Sequence, residues 1–306
     1  MTLSVRRLPG NFGAWIDGVD VRSVDDRQLG EIARTLLENR FIVFPHQQLS
    51  NAEYIEFGTR WGRPVKLISR KNTLDEYPEM IVQGNGAATP DHVRNVANHW
   101  HCDSSYEREV ATATMLYGVE APAKGGETLF ADLVGAYRAL PTVNRERYDG
   151  LIVSHATSAA MPLPDETIRP LSEVPPEFLR HVVRLPPVTH PLVQRHPYTG
   201  RKALYGLGGS AYGIEGMTQR EGSELILELR RHAVQPQFRA GYKLMPSDVL
   251  IWDNFSVMHR ATPIEYSDAP GKRRLNYRIS LKGIPDSLKR EPATANAASP
   301  ATGSNA

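Results

Sequence analysis

The chain has 306 residues, with 36 basic against 34 acidic side chains, a formal net charge of +2 and one cysteine. That length can bury a substantial core. The balanced charge gives no field for nucleic acid, and a lone cysteine excludes an internal disulfide framework or a cysteine-based zinc cluster. The longest apolar runs, such as FIVF at 41–44, are far too short to span a bilayer, so neither nucleic acid nor membrane is an expected partner. The start, MTLSVRRLPGNFG, carries charge with no apolar segment behind it, which predicts a cytoplasmic protein.

In chain order, Ser23 is placed to cap a helix whose apolar residues Leu29, Ile32, Leu36 and Leu37 recur at helical spacing. Residues 41–44 read as a buried strand ended by Pro45. A second helix starts at Ser50, carries Tyr54, Ile55 and Phe57, and stops at Gly62. From Lys66 to Pro90 the chain is polar and irregular apart from a short strand near Ile81 and Val82. The segment WHCD (100–103) lacks Pro, Gly and caps and is expected to be extended. His101 and Asp103 would then share one face and Cys102 the other, as a small buried hydrophobe.

Beyond it the pattern is mostly β, with strands expected at 112–119, 127–132, 151–156, 188–194, 203–207, 249–252 and 275–281. HPYTGRKAL (196–204) reads as a hairpin turning at Gly200. One helix, at 219–234, opens on a Thr218–Glu221 capping box. Residues 292–306 are Ala, Ser, Thr, Pro, Gly and Asn without periodicity, and 291–306 read as a disordered tail after a single domain over 1–290. Many short strands with a few helices suggest a β-sandwich or jelly roll with helical covering.

Two imidazoles and a carboxylate, from His101, Asp103 and a distant His259, form a ligand set that fills half an octahedron and leaves half open, as non-haem Fe(II) oxygenases require. His259 follows the strong strand DVLIWDN and a turn, which places it in a loop after the strand. At 274–281, Leu275, Tyr277, Ile279 and Leu281 alternate with Arg274, Asn276, Arg278 and Ser280. If the polar face points inward, each guanidinium needs an anionic partner, which predicts small carboxylate ligands. Zinc could also use the three ligands, so a non-redox metal-dependent barrel protein, such as a hydrolase, remains the alternative.

HWHCDSSY, GGETLFADL, THPLVQRHPYTGRKALY, DVLIWDNFSVMHRAT and RRLNYRISLKG stand in the order and spacing of the TauD/TfdA family, which this chain resembles from about Leu29 to Gly283. The resemblance implies a mainly β fold with helices, a double-stranded β-helix (jelly roll) with flanking helices. It also implies Fe(II), O2 and 2-oxoglutarate as cosubstrate, with His101, Asp103 and His259 as metal ligands. Arg274 and Thr128 would bind the distal carboxylate of 2-oxoglutarate, and Arg278 would lie near the metal-bound end of that acid and the acid group of the substrate. The implied activity couples decarboxylation of 2-oxoglutarate to succinate and CO2 with oxidation, most simply hydroxylation, of a small anionic substrate. Desaturation or another oxidation of an amino-acid-derived substrate is the alternative outcome. Halogenating relatives replace the ligand carboxylate with a small residue, and the presence of Asp103 argues against that activity. The family also implies a homo-oligomer, dimer or tetramer.

Taurine-acting members have a histidine just after the turn that falls here at Trp61-Gly62, and a polar contact shortly before the HxD pair. This chain offers Lys66, Ser69, Arg70 and Lys71 in the first place and Ala97 in the second, so taurine is not the expected substrate. A sulfonate, sulfate ester or carboxylate remains. Lys66, Arg70, Ser104, Tyr106, Tyr205 and Arg278 are the candidate substrate contacts.

Overall fold

The structure is a computed structural model that describes residues 3–65, 73–87, 97–157 and 185–289. Its strands, in chain order, begin with β1 (Ser4–Arg7), β2 (Ala14–Asp17), β3 (Phe41–Phe44), β4 (Arg63–Pro64), β5 (Ile81–Gly84), β6 (Ala113–Glu120), β7 (Thr128–Asp132) and β8 (Ile152–His155). They continue with β9 (Val188–Pro191), β10 (Val193–Arg195), β11 (Lys202–Leu204), β12 (Ala211–Ile214), β13 (Arg239–Tyr242), β14 (Val249–Asp253), β15 (Val257–Ala261) and β16 (Leu275–Lys282). The helices are α1 (Asp26–Asn39), α2 (Asn51–Trp61), α3 (Leu133–Ala139), α4 (Thr142–Tyr148), α5 (Gln219–Ala233) and the short α6 (Asp286–Lys289).

The major sheet runs β1-β2-β3-β14-β6-β16-β4, with β5 also paired to β16. A minor sheet, β13-β7-β15, faces it, and a third sheet, β12-β8-β9, lies beside the β10-β11 hairpin. Strand alternation explains how one sheet serves two cores. In β3, Ile42 and Phe44 pack under the helices with Leu29, Ile32, Leu36, Tyr54, Phe57 and Trp61, while Phe41 and Val43 point the other way. In β14, Val249 and Ile251 join the helix side, and Leu250 and Trp252 join the interior. These strands are buried on both faces, which is why they read as unbroken apolar runs. The interior is closed from the minor sheet by Phe130, Val257 and Ala240, with Phe130 stacked on Phe41 at 4.4 Å between ring centroids. Two sheets enclosing one core, with helices on the outer face of the larger, are a jelly roll with flanking helices.

The expected face of β16 is borne out. Ile279 and Leu281 pack on the helix side with Tyr277 against them, which leaves Asn276, Arg278 and Ser280 on the interior face. Helix 219–233 has its Thr218–Glu221 capping box, and the β10-β11 hairpin turns through Gly200 at φ +66°.

Several local expectations are corrected. The cap of α1 is Asp25, whose carboxylate accepts from Gln28 N while the Gln28 side chain accepts from Asp25 N; Ser23 donates to Asp20 O instead. A capping box satisfies two orphan N–H groups, which a lone serine upstream does not. Expected strand 188–194 is broken at Leu192, and 203–207 ends at Leu204 because Leu207 and Gly208 turn to serve another segment. His259 stands inside strand β15, since the turn after β14 is short enough for the chain to re-enter the minor sheet at once. The HxD segment makes only an isolated bridge, and Asp103 already lies in a turn. The expected tail 291–306 and the loop residues Lys66, Ser69, Arg70 and Lys71 lie outside the described residues.

Candidate active site

Side-chain alternation on β15 sends Val257 into the interior, and His259, two residues on, follows it. His101 is held directly opposite by a reciprocal backbone pair, His101 N to His259 O at 3.0 Å and His259 N to His101 O at 2.9 Å. Their imidazoles therefore lie side by side, with ring centroids 4.2 Å apart. On its other edge the His101 segment is pressed by Gly208 and Gly209, with Gly209 N donating to Trp100 O at 3.1 Å. A Cβ on Gly208 would come within 3.0 Å of His101 Cα, and one on Gly209 within 2.5 Å of the His99 ring, so only glycine allows this approach. The chain then turns sharply, with Ser104 at φ +56° and Glu107 N donating to Ser104 O, and this turn swings Asp103 back beneath the two rings.

His101 Nε2 lies 3.7 Å and His259 Nε2 3.6 Å from the two oxygens of Asp103. One ligand atom from each residue falls within 4.8 Å of the others, the sole such three-residue cluster among the described residues. These separations are too long for good hydrogen bonds and suit atoms that share an ion, since ligands about 2.1 Å from one cation stand roughly 3.0–3.5 Å apart. The Nδ1 of His101 faces His99 O at 2.8 Å, which places the proton there and leaves Nε2 with its lone pair.

The electrostatics prepare the same set for a cation. Burial pushes the His101 imidazole below its ordinary range, against the pull of Asp103. Burial, with His101 beside it, drives His259 lower still. Burial alone would raise Asp103, but Arg278, His259, His101 and the Thr114 hydroxyl together hold it well below the usual carboxylate range. Two neutral imidazoles and an anion bind a divalent cation without first losing protons.

Around this centre, Arg278 Nη2 reaches Asp103 Oδ1 at 2.6 Å and donates to Ser280 Oγ at 3.0 Å. Arg274 is part-buried, its Nε atom is buried without a hydrogen-bond partner, and burial lowers its pKa with no charged neighbour opposing. Among the described residues it has no acidic partner. Thr128, nearly buried at the start of β7, shares its strand face with interior-facing Phe130, across from the strand of the two arginines. Tyr106 is part-buried, and burial raises its phenol against the nearby Arg278 charge. Ser104 is buried in the turn after Asp103, whereas Tyr205 lies completely buried in the core with Trp100, Cys102 and Phe255. Cys102 points away from the ligands, toward Val257 O, as its strand position implies. Ala97 serves by its backbone, accepting from Ala261 N.

Three residues near the centre carry no signal in the HxD spacing. Thr114 donates to Asp103 Oδ2 at 2.6 Å, Asn254 donates to Thr114 at 3.0 Å, and Trp252 donates to Asn254 at 3.0 Å. Lys282, paired with Glu107 at 2.8 Å, pins the far end of the Asp103 turn. The pair of polar residues, Asp253 and Asn254, that ends the apolar run VLIW was the hint available in the sequence.

Comparison with known proteins agrees with this geometry. Over 289 residues the chain is 30% identical to the alpha-ketoglutarate-dependent 2,4-dichlorophenoxyacetate dioxygenase of Cupriavidus pinatubonensis, covering 90% of this chain and 97% of that one. It is 29% identical to an alkylsulfatase of Acinetobacter baylyi, covering 92% and 85%. The crystal structure of a taurine dioxygenase from Burkholderia xenovorans superposes with a TM-score of 0.73 at 28% identity, covering 93% and 92%. The profile of the family described as taurine catabolism dioxygenase TauD, TfdA family matches residues 4–279. The chain belongs to the TauD/TfdA dioxygenase family.

Proposed function

We propose that this oxidoreductase binds Fe(II) through His101, Asp103 and His259 and couples decarboxylation of 2-oxoglutarate to succinate and CO2 with hydroxylation of a small organic acid. The substrate is a sulfonate, sulfate ester or carboxylate. The observation that carries the reading is the buried Arg274 Nε without a partner, just ahead of β16 and four residues before Arg278, which pairs with Asp103 of the His-Asp-His cluster. A guanidinium taken from water without a counter-ion is costly unless an anion arrives to pair with it. A hydrolytic metal site would have no use for it.

Iron, when bound, supplies the redox chemistry with O2. The protein's own side chains do the rest. Arg274, with the Thr128 hydroxyl, binds the distal carboxylate of 2-oxoglutarate and so fixes where its keto-acid end lies. Arg278, already paired with Asp103, offsets the negative charge that accumulates when a dianion joins that carboxylate. Tyr106 and Ser104 flank the approach for the substrate, with Lys66 and Arg70 as further cationic contacts. Tyr205 acts from behind the ligand turn by packing. The substrates after which these relatives are named, a phenoxyacetate and taurine, are small acids, which fits this cationic setting. We further propose one catalytic domain over 1–290, a cytoplasmic location and a homo-oligomer. No described helix is long and apolar enough to cross a membrane. Light scattering in solution checks the oligomer.

The test is succinate release from anaerobically purified, Fe(II)-loaded protein over a panel of sulfonates, alkyl sulfates and phenoxyacids. Turnover that requires O2 and is lost in Asp103→Ala is expected. Stoichiometric zinc with no 2-oxoglutarate binding, or equal succinate release from Asp103→Ala, would overturn the reading.

A further inference from the structure

The Asp103 carboxylate sits at the end of a chain of hydrogen bonds whose direction is set at every link. The indole of Trp252 can only donate, and it donates to Asn254 Oδ1 at 3.0 Å. That fixes the amide, so Asn254 Nδ2 faces Thr114 Oγ1 and donates to it at 3.0 Å. The Thr114 oxygen is thereby an acceptor, and its single proton goes to Asp103 Oδ2 at 2.6 Å. All four side chains are at most 3% exposed, so bulk water cannot substitute for a missing link. On the other oxygen of Asp103, Arg278 supplies the opposing anchor at 2.6 Å.

The three residues come from two adjacent strands of the major sheet and the turn after them, and none is among the candidate ligands. Trp252 lies opposite Thr114 in the β14-β6 register. The same Trp252 ring lies 4.6 Å from the ring of His259. One rigid strand pair therefore faces both a carboxylate ligand and an imidazole ligand.

We propose that Thr114 and Asn254 are positioning residues for the metal: they set the plane of the Asp103 carboxylate so that the ion meets a pre-oriented ligand. This rests on the reading of His101, Asp103 and His259 as the metal centre. Outer partners of metal ligands typically contribute about 10- to 100-fold in metal affinity. Steric filling would need only the shape of Thr114. Orientation needs its proton.

The test measures Co(II) binding and the Co(II) d–d absorption of the metal-free full-length chain, with folding monitored by circular dichroism. Thr114→Val keeps the shape and removes the hydroxyl, and should bind Co(II) about 10- to 100-fold more weakly with an altered visible band. Thr114→Ser keeps the hydroxyl and should restore most of the affinity. Asn254→Asp, which can only accept, should draw the Thr114 proton away from Asp103 and weaken binding in the same direction. It also serves as the deciding variant should Thr114→Val fail to fold. Wild-type affinity and spectrum in Thr114→Val, or in Asn254→Asp where that variant decides, overturn the proposal. So does a Thr114→Ser variant as weak as Thr114→Val, which would show a packing role. If Asp103→Ala leaves Co(II) binding unchanged, the metal centre itself is misassigned, a result distinguishable from either of these.

Discussion

Two buried histidine–carboxylate clusters are connected through the short turn between β14 and β15, and they differ in one respect that separates structure from function. At the first, His196 Nε2 donates to Asp253 Oδ2 at 3.0 Å while its Nδ1 accepts from Tyr198 N and Thr199 N. Asp253 also accepts from Ser256 Oγ and Phe255 N. Each ring nitrogen is bonded, so this cluster ties the β10-β11 hairpin to the turn and offers nothing to a ligand. At the second, the imidazole Nε2 atoms of His101 and His259 stand 3.7 and 3.6 Å from Asp103, and the outer bonds converge on the carboxylate. Neither Nε2 makes a hydrogen bond to Asp103 at that distance, and His259 Nδ1 is buried without a partner. Both clusters set imidazole against a buried carboxylate, although His101 is more exposed than His196. Satisfaction of the ring nitrogens distinguishes a clamp from a site.

The comparison can be broken by variants on either side. His259→Ala should abolish Co(II) binding at the site and bring succinate release below detection, while thermal unfolding of the metal-free chain shows no comparable loss. His196→Ala should do the reverse: it leaves Asp253 buried beside an empty space and should cost about 3–5 kcal/mol in denaturant unfolding. Its Co(II) affinity should stay close to that of the wild type. A parallel loss of metal affinity would show that the clamp belongs to the site.

A third histidine sharpens the contrast through pH. Burial, with His190 close by, lowers the His155 imidazole to about 3 from 6.5, and its Nε2 is buried without a partner. Between these values the unfolded chain binds the proton and the folded chain does not. Stability is therefore full above pH 6.5 and falls with acid, at up to about 1.4 kcal/mol per pH unit. His155→Gln should flatten that slope in urea titrations between pH 6.5 and 4.5. Asp253 acts in a lower window. Although burial opposes it, His196 and Ser256 hold its pKa below 3.8, so its contribution is present at neutral pH and disappears as pH falls below that value.

The smallest effect on stability is expected at Arg274. Arg274→Met removes a buried donor that lacks a partner and should stabilise the ligand-free chain by about 1 kcal/mol. The same change should weaken 2-oxoglutarate binding roughly 10- to 100-fold, as expected for a lost charge-assisted pair. An equal or lower melting temperature, with unaltered 2-oxoglutarate affinity, would remove Arg274 from the site.

Much of this was legible along the chain. The alternation at 274–281 announced one apolar and one polar face, and the capping box at Thr218 announced where its helix starts. FIVF announced a buried strand and DVLIWDN a strong one, and both are buried on two faces. What was missed has physical causes. The fully exposed SVRR of β1 has no buried face to leave a period, and RAGY of β13 carries a glycine that weakens any strand signal. The clamp of His196 on Asp253 joins residues 57 positions apart, which no local pattern reports.

The sequence by itself determined the candidate ligand types, their order and the two faces of β16, because side-chain period and donor chemistry are local properties. Only the tertiary structure decided that His196 meets Asp253, and with what satisfaction each imidazole meets its carboxylate. His101 and His196 carry the same ring. One is set against Asp103 by a backbone bridge and two close-packed glycines, and the other against Asp253 by a hairpin. The distances that result, 3.7 Å in one case and 3.0 Å in the other, are fixed by that packing against distant segments.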